Sequence, residues 1–551
     1  MRKRIIPFMI LPFLLFGCGK DKNVYASSKN TIYKFELNEG NAIITGLNSN
    51  YKNQTDIIIP YSIDKHPVVK IEDSAFNGIY RIKRVDMSKS KLSEIGPYAF
   101  KNCTNLINVT YPNTIEEIGH NAFEDCTNLE GMDLSNCIIE EVSDNMFLKC
   151  NSLTNVKFPI TVKKIGTNVF SKCSNITTLD FSDLNIEVLA DYAIYDLDNL
   201  QQVQFSSTLK EIGTYALASN QKIQTLTLSN TSVETIKEGA FSNDKLLSKI
   251  SLPNTLRLLG EKAFYYCSKL PSVDLSKTQI EEISESCFEL CTVMDRISLP
   301  NVKKISSRAF YNSALKTINI PSNTSFIADD AFRLCKKMES ITVENDNNQY
   351  TVLNGALYTA NKDKLLVYPV ASTAITFTIN SNTSIINAYA FTDAVNLESV
   401  NLESVKLSEI KDYTFMNCTN LTTVYMGTDA STGIKKIGVK AFFGCKSLTA
   451  FNGEYSLTEI GESAFYDCVN LKEVYLGEST ALTKIDAEAF YNCNSLETLT
   501  LPGSLYVVNR SAFYNCSSIT TLTFGANKTA FEELLKRSPN CGLEQYIDIV
   551  S

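Results

Sequence analysis

The residues of this 551-residue chain whose types could do chemistry are its sixteen cysteines, two histidines and paired carboxylates. Twelve of the cysteines fall in one context, three residues after the Phe of an Ala-Phe pair or its variant: Cys103, Cys126, Cys150, Cys173, Cys267, Cys291, Cys335, Cys418, Cys445, Cys468, Cys493 and Cys516. Thiolates can hold zinc, but no C-x-x-C occurs, and thiols in equivalent stacked positions do not converge on a tetrahedron. Disulfides would suit an exported protein. Equivalent side chains in a stack point the same way, however, which is poor geometry for a bridge. Ser313 and Ala394 occupy the same slot, so the slot asks for a small side chain, and free buried thiols acting as small hydrophobes are expected.

Acid–base and nucleophilic chemistry find little support. His66 precedes Pro67, and His120 sits in the corner "IGHNAF"; both read as turn residues. There is no G-x-S-x-G, no H-E-x-x-H and no glycine-rich phosphate loop. Glu116–Glu117, Glu140–Glu141 and Glu281–Glu282 recur at one position of a repeat and read as a solvated face. "ENDNNQ" (344–349) carries oxygen ligands but lacks the order and closing Glu of a calcium loop. No catalytic residue, metal or cofactor is expected. A net charge of −8 without basic runs argues against nucleic acid as a partner, and against anionic membrane surfaces.

The elements that carry these residues form an array. The ruler falls at Phe76, Phe100, Phe123, Phe147, Phe170, Ile194, Leu217, Phe241, Phe264, Phe288, Phe310 and Phe332, then at Phe391, Phe415, Phe442, Phe465, Phe490 and Phe513. Early steps alternate 24 and 23. Repeats leaving their strand with Pro take 11 residues to the next Phe, and those leaving with Ser take 12 (Pro112 to Phe123, Ser135 to Phe147); this points to a duplicated two-repeat unit. In "SLETLTLP", Leu499 and Leu501 alternate with Thr498 and Thr500 as a half-buried strand requires. Proline marks where strands leave the sheet. A second short strand ends at Gly96, Gly119, Gly166, Gly213 or Gly438, a corner where positive φ is expected. A-F-x-x-C has helical spacing, so a short helical turn should close each repeat.

The expected fold is an α/β repeat solenoid, a leucine-rich-repeat rod or arc, β-rich with short helical turns, of about eighteen repeats of 22–27 residues. Such arrays need caps. Residues 31–71 read as an N-terminal β cap, 72–337 as the first part of the array and 338–380 as an insertion containing a hairpin. Residues 381–525 read as the second part, and 526–551 as a cap of the helix "KTAFEELLKR" and a last strand "YIDIV" (546–550). At the other end, "MRKR" and the apolar "IIPFMILPFLLFG" read as a signal peptide over 1–17. "LFGC" is placed as a lipobox before Cys18, and 18–30 read as a tether. Export, lipid anchoring at Cys18 and surface exposure follow as expectations, with the lipid as the sole membrane contact.

The consensus L-x-x-I-G-x-x-A-F-x-x-C-x-x-L-x-x-V-x-L-[PS], over roughly 56–525, resembles the BspA-like leucine-rich repeat family. The Tyr350, Gly355, Leu357, Tyr358 pattern also recurs in that family. The resemblance implies a binding scaffold engaged in adhesion to host matrix proteins or other bacteria, with a protein or glycan ligand. A structural or periplasmic scaffold is the alternative. The outward positions of the main strands are polar and nearly uncharged, and this stripe breaks at Tyr425 and Tyr475, with Asn452 between and Glu473 alongside. One residue after the ruler, Phe443, Tyr466, Tyr491 and Tyr514 follow one another in four successive repeats. Packing against the next repeat explains them; so does an exposed aromatic ribbon for partner contact.

Overall fold

The computed structural model describes residues 32–426, 433–453 and 457–551; Cys18, the signal segment and the tether lie outside the described residues. The chain is a solenoid in which successive repeats stack a main strand of three or four residues, a two-residue strand and a turn. The ruler residues are buried throughout. Their rings stack in runs: Phe241, Phe264, Phe288, Phe310 and Phe332 succeed one another at 5.2–5.6 Å between centroids. No single repeat could cover both faces of its ring, so burial here belongs to the stack. Among the described residues helix is confined to one α-helix, Lys528–Arg537, and two 3-10 turns.

The segment expected to be a helical turn is instead a string of alternating turns. In the repeat of Phe100, the amides of Tyr98, Phe100 and Asn102 donate to His120, Ala122 and Glu124 of the next repeat, while Ala99, Lys101 and Cys103 donate three residues back. Tyr98 and Asn102 are left-handed, at φ 58° and 59°, and the pattern recurs two residues either side of nearly every ruler position. The corner glycines are a related correction: Gly96, Gly119, Gly166, Gly213 and Gly438 do not have positive φ. They are required by close approach. A Cβ on Gly96 would stand 2.7 Å from the Asp73 backbone nitrogen, and one on Gly213 2.6 Å from the Ala190 carbonyl carbon.

The two-repeat unit is visible in the hydrogen bonding. From residue 131 to 343 the main strands pair in twos: Gly131–Asp133 with Asn155–Lys157, Thr178–Asp180 with Gln202–Gln204, Thr225–Thr227 with Lys249–Ser251. Each pair is unbonded from the next. The break follows the 11-residue exits of Pro159, Ser206 and Pro253 and the 10-residue exit of Pro300, but not the 11-residue exits of Pro321 and Pro502, so neither proline nor exit length alone sets it. The second ladder is knit by two-residue strands such as Lys164–Ile165, with exposed cross-repeat ion pairs including Glu140–Lys163, Glu141–Lys164 and Glu282–Lys304.

The insertion is a three-stranded antiparallel meander, Tyr350–Leu353, Ala356–Thr359 and Lys364–Val367, not one hairpin. Its last strand joins the second ladder beside Ile385–Ile386. Tyr368 then takes the ruler's place, 23 residues before Phe391: its amide donates to the Ala390 carbonyl, and its ring stacks on Phe391 at 4.9 Å. At the N-terminus an antiparallel hairpin, Tyr33–Asn38 with Asn41–Leu47, adds to His66–Ile71. At the C-terminus the expected strand 546–550 is absent. Glu544–Tyr546 is a 3-10 turn, and only Val550 bridges, to Leu522. The carbonyls of Asn540 and Cys541 receive the amides of Ser511 and Phe513, in place of a further repeat.

Candidate ligand-contact surfaces

The thiols are structural. All fifteen described cysteines are free and buried. In the ruler slot each Sγ donates to the carbonyl of the ruler residue one repeat earlier: Cys103 to Phe76, Cys291 to Phe264, Cys445 to Phe415, at 3.1–3.2 Å. Cysteine thus brings a donor as well as a small volume to the slot, whereas Ala394 fills it by volume alone. Asn220 also brings a donor, its side-chain amide reaching the Ile194 carbonyl at 2.9 Å. Burial pushes the thiols of Cys103 and Cys291 up to about 12, which keeps them protonated and unreactive. Asp244 fills the slot with a buried carboxyl, and burial holds it well above the usual carboxylate range. One oxygen accepts from the Asn220 backbone N–H and the other has no partner.

The histidines also have structural partners, as do the carboxylates of Glu140–Glu141 and Glu281–Glu282. His66 Nδ1 lies 2.9 Å from the Gly40 carbonyl, and His120 packs edge-on to Tyr98. In "ENDNNQ", Glu344 accepts from the Ser322 amide, and the Asn347 amide bridges Pro321 and Thr324 carbonyls. No cluster of His, Cys, Asp and Glu able to hold a metal occurs among the described residues.

The structure does not bring the candidate contact residues into one site. Tyr425, Asn452, Glu473 and Tyr475 share the outer face of the main sheet: Asn452 and Tyr475 are register partners, and Tyr425 stands opposite Asn401. Tyr425 is 48% exposed. The ladder is interrupted between Thr423–Met426 and Ala450–Asn452. Phe443, Tyr466, Tyr491 and Tyr514 lie on the turn face. They stack at 4.9, 4.7 and 5.1 Å with planes within 21° of parallel. Their faces are covered by one another, so the row offers ring edges and hydroxyls; Tyr514, the last, is 54% exposed. The rings pack on the next repeat and stay partly exposed along the turn face.

Sequence reasoning missed a third feature. A groove of about 1080 Å³ lies over the main strands, lined by Gln201, Gln202, Gln204, Gln224, Thr225 and Thr227 among others. The signal was available: of nine glutamines in the chain, five fall between 201 and 224.

These letters define a family. Residues 45–177, 140–270, 219–339, 371–433 and 428–536 match the BspA type leucine rich repeat region, well over half of the chain, and the chain belongs to that family. Similar solved structures include a leucine-rich repeat protein from Bacteroides ovatus, at 20% identity and TM-score 0.37, covering 89% of this chain and 97% of that one. Another is a leucine rich cell surface protein from Faecalibacterium prausnitzii, at 20% identity and TM-score 0.32, covering 93% and 97%. A leucine-rich repeat protein from Eubacterium ventriosum shares 23% identity at TM-score 0.40, over 60% of this chain and 84% of that one. No curated protein matches the chain. Membership of the family is consistent with a protein-binding scaffold.

Proposed function

We propose that this is a cell-envelope lipoprotein, anchored through Cys18, whose solenoid presents binding surfaces for adhesion to host matrix proteins or other bacteria. The observation that carries the binding role is the division of labour in each repeat. The ruler residues and thiols serve the core, the turn amides bond from repeat to repeat, and what varies freely is the outer face of the main sheet. In the C-terminal half that face carries Tyr425 and Tyr475 beside Asn452 and Glu473, and rigid aromatics give large contact area at small entropic cost. The turn-face row of Phe443, Tyr466, Tyr491 and Tyr514 supplies a second edge. Its rings stack on one another, which favours a protein over a glycan there, because a sugar ring needs an open aromatic face.

The test uses intact cells carrying the full chain, scored for attachment to immobilised matrix proteins and to partner bacteria, and for protease shaving. Tyr425→Ala with Tyr475→Ala should weaken attachment by about 2 kcal/mol, roughly thirtyfold, without change in thermal stability. Cys18→Ser should release the protein and abolish fatty-acid incorporation. Full attachment by the tyrosine variant refutes the C-terminal surface, and an array resistant to shaving refutes surface display.

A further inference from the structure

The glutamine groove lies in the other half of the chain, and its chemistry differs from that of the tyrosine surface. We infer that it is a second binding site, and that its occupant is an extended, uncharged peptide segment held through its main-chain amides.

The seam explains why there is a groove. Thr178–Asp180 pairs with Gln202–Gln204, and Thr225–Thr227 with Lys249–Ser251, but Gln202–Gln204 and Thr225–Thr227 are not hydrogen-bonded to each other. The groove sits across this unbonded seam. Its walls are set by register: Gln202 and Gln204 alternate on one strand, Thr225 and Thr227 on the next, all on the exposed face with Val203 and Leu226 turned into the core.

At several other points of this sheet outward side chains satisfy one another. Asp86 accepts from Ser88 and Thr110, Asp133 pairs with Ser135 and Lys157, and Asn319 accepts from Thr342. Over the seam they do not: Gln201, Gln202, Gln204, Gln224, Thr225 and Thr227 are exposed, and the structure gives their side chains no hydrogen bond. Each glutamine offers two donors and an acceptor. A stretch of strand that leaves its amides and hydroxyls unused, beside neighbours that use theirs, is a surface with unmet hydrogen-bonding capacity.

The chemistry of the lining narrows the occupant. No carboxylate lines the groove, and its one cation, Lys222, is already bonded to the Asn199 side chain. One exposed lysine is the whole positive charge of the lining, too little for phosphates or acidic glycans, which are held by several cations. A neutral sugar would want an open aromatic face, and the only ring lining the groove, Phe205, is half-buried. An extended peptide fits better on two counts. A primary amide matches the donor–acceptor pair of a peptide unit. Alternate residues on a strand are about 6.7 Å apart, which is also the spacing at which an extended chain presents backbone groups to one side. Gln202 and Gln204 thus meet alternate peptide units of a chain lying along them. About five residues would lie over Gln201–Phe205, at ~3.3 Å each. At one end Leu246, 42% exposed, lines the groove and offers an apolar contact for one side chain of the segment.

The probes are a displayed library of random dodecapeptides and an array of neutral oligosaccharides, applied to the detergent-solubilised full-length protein. Peptides should be enriched. Their binding should fall at least tenfold in the variant Gln202→Leu, Gln204→Leu, Gln224→Leu, and also in Gln202→Glu with Gln224→Glu, which keeps shape and solubility. It should be unchanged in Tyr425→Ala with Tyr475→Ala, so failure of this site and failure of the C-terminal surface are separable. N-methylation of alternate amides in an enriched peptide should abolish binding. Four results would each overturn the inference: no enriched peptide, peptides indifferent to both glutamine variants, equal binding of the N-methylated form, or capture of a neutral oligosaccharide that the glutamine variants lose.

Discussion

Phe264 offers a direct measure of what the ring stack contributes. It is fully buried between Phe241 and Phe288, at 5.2 and 5.4 Å, with planes 21° and 5° from parallel. Phe264→Leu keeps most of the apolar volume, a change worth less than about 1.5 kcal/mol by itself, and removes two ring–ring contacts of about 0.5–1.5 kcal/mol each. The expected loss is therefore about 2–4 kcal/mol, against about 3–5 kcal/mol or more for Phe264→Ala. Phe76, which stacks only on Phe100, should lose one contact and suffer about half the ring term. A double-mutant cycle separates stacking from burial. Phe264→Leu with Phe288→Leu shares one contact, so the pair should couple by about 0.5–1.5 kcal/mol. Phe264→Leu with Phe310→Leu, two repeats apart, should add to within about 0.5 kcal/mol. Solenoids can open repeat by repeat, so the assay is native-state hydrogen exchange at the Phe264 amide, which donates to the Cys287 carbonyl. Additive behaviour of the adjacent pair would refute stacking as a source of stability and leave burial alone. The Ile194–Leu217 step, where the row turns aliphatic, shows that such a site can still be filled.

Thiol titration of the native chain should find the fifteen buried cysteines unreactive and the denatured chain should release all fifteen besides Cys18; Cys445→Ala, which loses the bond to Phe415 and a sulfur's volume, should cost about 1–2 kcal/mol by chemical denaturation. Asp244 should make stability pH-dependent. Its raised pKa means its contribution is complete below the unfolded value of about 3.9 and is lost as pH rises, by about 1.4 kcal/mol per unit until the folded pKa is passed. Asp244→Asn, with the side-chain amide that Asn220 already uses in the same slot, should flatten that slope above about pH 4 and raise stability at neutral pH; an unchanged slope would refute the assignment.

What was legible in the sequence followed from packing. Phe, Cys and the alternating Leu–Thr strands appear at fixed spacing because each meets its own copy one repeat away, and any departure would be felt twice. The corner glycines were read correctly as invariant geometry but for the wrong cause, since spacing does not distinguish a positive φ from a neighbour's backbone at 2.6 Å. Tyr368 escaped because it lacks the preceding Ala and the following Cys; only the stack on Phe391 identifies it. The strand expected over 546–550 failed because β propensity cannot say whether a partner edge is free, and the carbonyls of 540 and 541 had already closed the last repeat.

The pairing of the main strands, which was not countable in the sequence, has a consequence for binding. From 131 to 343 the main sheet is divided into bonded pairs. Beyond the insertion the strands instead run three and four to a ladder, Thr376–Thr378 through Thr423–Met426 and Ala450–Asn452 through Thr521–Phe524. A continuous ladder holds its outward side chains at one fixed pitch, which suits rigid anchors such as Tyr475 beside Thr500. A divided one leaves seams, and at a seam outward side chains no longer have a hydrogen-bonded neighbour to align them. Glutamines with long, unpaired side chains are the residues able to reach across such a seam to a ligand. The two parts of one repeat array are thereby fitted for different contacts by where the main ladder is continuous and where it is divided.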